Sequence, residues 1–307
     1  MALRTLDLGS INEPLLIFGG PYSNLQATRA LRRQAEALGI PATRAICTGD
    51  VVAYCASPKE TIAELQAWGC HVLQGNCEAS LGQQAEDCGC GFTEGSTCSL
   101  LSVQWYRYAS SRIDESERTW MQALPQRIEL RFGSLKTVVV HGAVSSINRF
   151  IFASTPASEL LAEMSLVDAD IIIAGHSGIP FTRRLQTLHG EAKLWHNAGV
   201  IGMPANDGQT QVWYSLIQSS RLTVEPDELT RKDQSEGLAD KQLPAIKHLP
   251  LAYPAEEAQA RMRAVGISNG YADALTSGLW PSEDILPEFE RTQRGIPIRP
   301  EHCWQQG

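Results

Sequence analysis

The feature of this sequence that most restricts its fold is a set of short apolar runs, each followed by a turn that carries glycine or polar residues. The runs are Leu15–Phe18, Ala45–Cys47, His71–Leu73, Thr137–Val140 and Ile171–Ala174. Short apolar runs without alternating polar residues are typical of strands that are buried on both faces, as in parallel sheets. Because helical patterns follow several of the runs, the sequence predicts an α/β fold.

Helix signals lie between these runs. Ser23 and Gln26 have the spacing of a capping box, and Gly39 is expected to end the helix that they begin. Further helix starts are expected at Ser57 with Pro58, before a stop near Gly69, and at Asp114 with Glu117. Helices between buried strands strengthen the α/β prediction.

The whole chain is expected to form a single domain. Its core would cover residues 1–218, followed by a polar surface excursion over residues 219–243. A C-terminal strand, helices and a tail over residues 244–307 would pack on that core.

Composition restricts the class of partner. The net charge of −8 argues against a broad basic surface for nucleic acid or for an anionic membrane. No apolar run reaches the roughly 18 residues of a membrane-spanning helix, and the N-terminus lacks the apolar segment of a signal peptide. We therefore expect a cytoplasmic protein with no nucleic-acid or membrane partner; the sequence does not indicate its oligomeric state.

Polar residues follow four of the apolar runs at the point where each strand would end. These residues are Asp50, Asn76, His141 and His176, and a glycine stands beside each of them. Open α/β sheets bind ligands at the carboxyl ends of their strands, and this mixture of carboxylate, amide and imidazole suits Mn, Fe or Zn. A single Asp could instead cap a helix and a single His could pack in a core, but four successive strand ends favour a metal site.

The motifs around these residues resemble those of the calcineurin-like metallophosphoesterases, and most closely their compact bacterial phosphodiesterase branch. The stretches "CTGDVVAY", "LQGNCE", "VVVHG", "IAGHSGIPF" and "NAGVIGMP" occur in the order and spacing of that family, over about residues 14–216. The resemblance implies a four-layer α/β/β/α double-sheet sandwich with two metal ions at the strand ends. It also implies that one Asp bridges the metals and that a bridging hydroxide attacks phosphorus.

The resemblance also shows where this chain departs from the family. Where the family has three ligands of one metal, this chain has Gly20, Tyr22 and Gly178. The ligands of the other metal are retained as Asp50, Asn76, His141 and His176. Cys77 replaces a family histidine that assists the leaving group, and a thiol is a poorer proton donor than an imidazolium.

Cysteines cluster near the predicted site. Cys55, Cys77, Cys88 and Cys90 could form a second, soft-metal site, because thiolates select Zn, Fe–S clusters or Cu(I). They could also form a redox pair, or they could pack as small apolar residues.

Three further residues are candidates for substrate binding: Asn24, Arg149 and His196. Arg149 could bind a phosphate in bidentate fashion or remain a surface arginine, and His196 could line the pocket or pack. Tyr22, with the glycine-rich backbone before it, could hold a phosphate oxygen in place of a metal ion or simply belong to a turn.

Two functions remain open from the sequence. The first is hydrolysis of a small phosphoester by a metallophosphoesterase with one retained divalent metal, in which Asp50, Cys77 and Tyr22 are the catalytic candidates and a second, thiolate-bound metal is an option. The second is a catalytically silent member of the fold that binds a metal or ligand for regulation. Loss of three ligands favours the second, whereas the complete retained set favours the first.

Overall fold

The computed structural model describes residues 3–219, 242–268 and 270–306. The strands are β1 (Thr5–Ile11), β2 (Leu15–Phe18), β3 (Ala45–Cys47), β4 (His71–Val72), β5 (Arg127–Phe132), β6 (Leu135–Val139), β7 (Ile171–Ala174), β8 (Phe181–Gln186), β9 (Ala192–Asn197), β10 (Val212–Gln218), β11 (Ala245–Leu251) and β12 (Trp304–Gln306). The helices are α1 (Leu25–Ala37), α2 (Pro58–Trp68), α3 (Asn76–Gly82), α4 (Thr97–Arg112), α5 (Glu115–Ala123), α6 (Ala157–Ser165), α7 (Ala255–Ala264), α8 (Gly270–Ser277) and α9 (Glu288–Thr292).

The strands form two sheets. The larger sheet has the order β1-β5-β6-β7-β9-β8-β12, and the smaller has the order β11-β10-β2-β3-β4. Within the smaller sheet β2, β3 and β4 are parallel, and within the larger sheet β6, β7 and β9 are parallel. Two sets of parallel strands therefore present carboxyl ends from which side chains can converge.

Three apolar clusters show how the layers pack. One lies between the sheets, where Ile17 and Ile46 of the smaller sheet share a cluster with Ile171 and Ile173 of the larger one. The alternate residues of the smaller sheet pack with helices α1, α2 and α4, and those of the larger sheet pack with α6. The predicted four-layer α/β/β/α sandwich is confirmed.

The strand predictions agree with the structure to within two residues, and one helix start is corrected. Helix α1 is capped by Asn24, whose Oδ1 accepts a hydrogen bond from the backbone N of Ala27 at 3.1 Å. Ser23 cannot cap it as predicted, because Ser23 lies in the left-handed region with φ 58° and its backbone N bonds to Val51. The predicted starts of α2 and α5 are confirmed. Asp114 and Glu117 form a capping box at the start of α5.

The C-terminal segment contributes to both sheets. Strand β11 pairs with β10 in the smaller sheet, and β12 pairs with β8 at the edge of the larger one. The predicted polar excursion over 219–243 lies, apart from its ends, outside the described residues. Within the described ranges, none of the helices has the length and apolar character to cross a membrane.

The packing between the sheets generates a stability prediction. Ile217 of β10 is 1% exposed and lies in the cluster between the sheets, whereas Ile296 is 51% exposed. We expect Ile217→Ala to lower the free energy of unfolding by about 2–5 kcal/mol, because it leaves a cavity. Ile296→Ala should change it by no more than about 0.5 kcal/mol. Urea unfolding measures both variants, and equal effects would contradict the placement of β10 in a double-sheet core.

Candidate metal centre

The predicted ligands meet where the two sheets come together. Asp50 follows β3 and Asn76 is the first residue of α3, just after β4, whereas His141 and His176 follow β6 and β7 in the other sheet. A bridge between Gly19 and Val200 links the backbones at these ends. The architecture therefore brings four residues that are distant in sequence to one edge of the sandwich.

Four side-chain atoms converge on one point: Asp50 Oδ2, Asn76 Oδ1, His141 Nε2 and His176 Nδ1. His141 Nε2 lies 3.0 Å from Asn76 Oδ1, 3.0 Å from His176 Nδ1 and 3.2 Å from Asp50 Oδ2. His176 Nδ1 lies 3.9 Å from Asp50 Oδ2. Ligands about 2.1 Å from one ion are spaced at about these separations, so the four atoms fit a single metal site.

The chemistry of these atoms also calls for a cation. His141 Nδ1 lies 2.7 Å from the Thr48 carbonyl and must donate to it, which leaves the Nε2 lone pair facing the cluster. Asn76 Nδ2 donates to the Cys88 carbonyl at 2.9 Å, which turns Oδ1 towards the cluster. The Asp50, Asn76 and His141 atoms are thus acceptors unless His141 takes up a second proton, and a neutral His176 ring offers them one donor at most, at Nδ1. Buried acceptors without a donor are costly, and a metal ion satisfies all four.

The shifted pKa values of the cluster agree with a site for a cation. Burial alone would raise the pKa of Asp50, but the adjacent His141 and His176 outweigh it and lower that pKa. Burial likewise opposes the charge on His141, yet Asp50 raises the pKa of this histidine above its usual value. For His176, burial dominates and the pKa is lowered. The carboxylate therefore stays ionised and attracts a cation.

One residue of the site was missed by sequence reasoning: Glu78. Its carboxylate is fully buried and accepts backbone N–H bonds from Asp50 at 2.8 Å, Gly75 at 3.0 Å and Val52 at 3.1 Å. Burial, followed by the charge of Asp50, raises the pKa of Glu78 to about 7, although the N–H donors lower it. Glu78 therefore fixes the Asp50 loop against the start of α3. In the sequence, its position three residues after Gly75 could have indicated this role, because a glutamate at the third helical position commonly accepts a hydrogen bond from the N-cap backbone N–H.

Two glycines allow these loops to approach one another. Gly49 has φ +101°, and a Cβ atom there would lie 2.6 Å from the backbone N of Gly75. A Cβ atom on Gly75 would lie 2.3 Å from Asp50 Oδ1. Contacts this short do not occur, so a side chain at either position would displace the Asp50 ligand.

Aromatic rings cover the positions where the family resemblance places ligands of another metal. A Cβ atom on Gly20 would lie 2.5 Å from ring atoms of Tyr22. A Cβ atom on Gly178, which has φ +75°, would lie 3.5 Å from the ring of Trp280. The ring of Tyr22 therefore takes the space that a side chain at position 20 would enter.

A cleft opens beside the metal ligands, and we call it the aromatic cleft. Asp50 and His176 line it together with six aromatic rings: Tyr22, Tyr54, Phe92, Phe150, Tyr271 and Trp280. Phe150 stacks on the His176 ring with 4.3 Å between centroids. No lysine or arginine is among the described residues that line this cleft.

The structure does not bring the three predicted substrate-binding residues to the aromatic cleft. Asn24 caps α1 and donates from Nδ2 to the Gly202 carbonyl at 3.1 Å. Arg149 forms ion pairs with two glutamates, Glu159 and Glu163. His196 is fully buried between the sheets, where its ring bonds to Thr182 and Ser215.

The cysteines are arranged differently from a thiolate metal site. Cys88 and Cys90 form a disulfide, so neither offers a thiolate. Cys77 lies beside Asn76 with its sulfur 3.5 Å from Nδ2, and burial raises the pKa of its thiol well above the usual value. Cys55 contacts the Gly202 carbonyl instead. In the described part of the chain, the sole cluster of His, Cys, Asp or Glu side chains with metal-binding geometry is Asp50, His141 and His176.

Comparisons with known proteins agree with this architecture. The family model described as the calcineurin-like phosphoesterase superfamily domain matches residues 23–219. An uncharacterised protein of Methanocaldococcus jannaschii is 22% identical over 228 residues, which cover 70% of this chain and 86% of that protein.

Solved structures share the fold at low sequence identity. A metallophosphoesterase from Sphaerobacter thermophilus matches with a TM-score of 0.59 and 17% identity, covering 88% of this chain and 100% of its own. A hypothetical protein from Pyrococcus horikoshii matches with a TM-score of 0.65 and 15% identity, covering 86% of this chain and 98% of its own. At these identities the likeness concerns the fold alone.

The ligand geometry generates a prediction on metal binding. We expect His176→Ala to lose metal when the purified protein is loaded with Mn²⁺, because the mutation removes one of the four converging atoms. His71→Ala, which removes a partly exposed histidine on β4, should load like the wild type. Metal analysis after gel filtration measures both, and full loading of His176→Ala would contradict the assignment.

The aromatic rings over Gly20 and Gly178 lead to a second prediction. Gly20→Asp alone should bind no additional ion and should destabilise the fold, because its side chain meets the Tyr22 ring. The triple variant Gly20→Asp, Tyr22→His and Gly178→His replaces the phenol, whose outer ring atoms meet position 20, with a smaller imidazole and supplies three side-chain ligands. Its metal content should rise above that of the wild type. An unchanged content in a folded triple variant would mean that the backbone here does not correspond to the family site.

Proposed function

Because the chain belongs to the calcineurin-like phosphoesterase superfamily, whose model matches more than half of it, we propose that it hydrolyses a small phosphoester with a single divalent metal ion. The ligands would be Asp50, Asn76, His141 and His176. The observation that carries the proposal is the convergence of four buried side-chain atoms with the spacing of ligands around one ion. Imidazole, amide and carboxylate ligands suit Mn, Fe or Zn.

The protein's own residues supply a fixed and charged environment. When bound, a divalent ion supplies Lewis acidity that stabilises negative charge developing on a phosphoryl group. Asp50 contributes one negative charge, so ion and ligands together carry one net positive charge. Glu78 holds the Asp50 loop through two backbone N–H bonds, from Asp50 and Val52, which keeps this ligand in place without reorganisation during the reaction.

Of the three phenols that line the aromatic cleft, Tyr22 is the one most affected by the charge of Asp50. Burial, followed by the charge of Asp50, raises the pKa of its phenol well above the usual value, so that the group stays protonated. Tyr22 lines the aromatic cleft, whereas Cys77 does not. We therefore assign to Tyr22 a hydrogen bond to a phosphoryl oxygen and give Cys77 a smaller part, which favours substrates whose leaving groups need little protonation.

A catalytically silent protein that binds a metal or ligand is the second candidate. The covered positions at Gly20 and Gly178 favour it, because they offer no side-chain ligand for another cation. A silent member that binds the metal would load in the same way as the hydrolase, so metal binding alone does not separate the two candidates. Turnover does.

The test is hydrolysis of bis(4-nitrophenyl) phosphate by the metal-loaded protein. Asp50→Asn should lower kcat/KM by about a hundredfold or more, since it weakens the metal site and the several kcal/mol of charge stabilisation that the ion provides. The matched control is Asp114→Asn, a surface helix cap that Asn can replace; it should keep wild-type activity. A wild-type rate no higher than that of Asp50→Asn would overturn the hydrolase and leave the silent member.

A further inference from the structure

The aromatic cleft has a composition that the proposed hydrolysis of a phosphoester does not by itself explain. Its rings pack against one another, with 4.7 Å between the centroids of Tyr22 and Tyr54 and 4.5 Å between those of Tyr54 and Tyr271. Tyr22 and Tyr271 are buried, whereas Tyr54, Phe92, Phe150 and Trp280 remain partly exposed. The cleft therefore presents aromatic surface to a ligand.

Charge is almost absent from this surface. Among the described lining residues, Asp50 and His176 are the ionisable groups of the metal cluster, and the remaining polar side chains are neutral hydroxyls, phenols and cysteine sulfur. The nearby Arg149 is held by Glu159 and Glu163. A further phosphate or carboxylate would find no cation here, so the cleft suits an uncharged group.

Trp280 is held rigidly in this surface. Its Nε1 donates to the Pro204 carbonyl at 2.6 Å, and its backbone N donates to Asn206 Oδ1 at 2.8 Å. Its ring lies over Gly178, directly after the metal-ligand loop at His176. A side chain fixed before binding loses little entropy when a ligand packs on it.

We propose that the aromatic cleft is a subsite for the organic group of the substrate, and that this group is a planar, uncharged aromatic ring on a phosphodiester. The ring would pack on the faces of Trp280 and its aromatic neighbours while the phosphoryl group lies at the metal. This inference rests on the proposed function for the position of the phosphoryl group. Stacking between planar rings supplies the affinity and selects the substrate class.

The experiment compares two ligands by calorimetric titration of the metal-loaded protein. Diphenyl phosphate and dimethyl phosphate carry the same phosphodiester charge and differ in their aromatic rings. We expect diphenyl phosphate to bind at least about tenfold more tightly, as stacked rings do elsewhere. Equal affinities would overturn the inference. Preferential binding of diphenyl phosphate without hydrolysis of any aryl diester would instead leave the subsite standing and reject the proposed function.

Substitutions in the aromatic cleft test which residues cause the preference for diphenyl phosphate over dimethyl phosphate. Trp280→Leu should remove most of it, and Trp280→Phe, which restores an aromatic face, should recover most of it. Trp304→Leu is the matched control, because Trp304 lies on β12 and does not line the cleft; it should keep the full preference. Phe92→Leu provides a second test if Trp280→Leu fails to fold. Full preference retained in every folded cleft variant would overturn the inference.

Discussion

The structure depends on how the buried carboxylate of Asp50 is compensated. An ionised carboxylate that is 4% exposed is costly unless cations or donors surround it. Here the backbone N–H of Cys77 donates to Oδ1, and two histidines approach Oδ2, of which His141 presents a lone pair. This arrangement requires the carboxyl ends of strands from both sheets, the glycines that let the loops meet, and Glu78 to hold the loop. The double-sheet fold thus brings together buried oxygen and nitrogen atoms that suit a cation.

The site is divided into two unlike halves. One half keeps oxygen and nitrogen ligands in a tight cluster. In the other half Tyr22 lies over Gly20 and Trp280 lies over Gly178, the positions where the family resemblance places ligands of another metal. The residues at positions 20 and 22 depend on each other, because the Tyr22 ring leaves no room for a side chain at position 20.

Sequence reasoning was accurate where local pattern and strand order decide the outcome. Buried runs such as Ala45–Cys47 and Ile171–Ala174 gave correct strands, and the residues after them are the side chains that converge at the strand ends. The helix cap was misplaced by one residue because the left-handed conformation of Ser23 is set by its contact with Val51. Glu78 was missed because its three partners lie in two loops. Trp280 was not foreseen because it reaches the site from a segment about a hundred residues away.

The central claim is that one cation, and not two, is held at these strand ends. Electron paramagnetic resonance of the Mn²⁺-loaded wild-type protein tests it most directly, since coupled and isolated ions give different spectra. The account predicts the spectrum of an isolated protein-bound ion that persists when Mn²⁺ is added in excess. A spin-coupled dinuclear spectrum would contradict the claim of a single site, and a spectrum of free Mn²⁺ alone would contradict the metal centre itself.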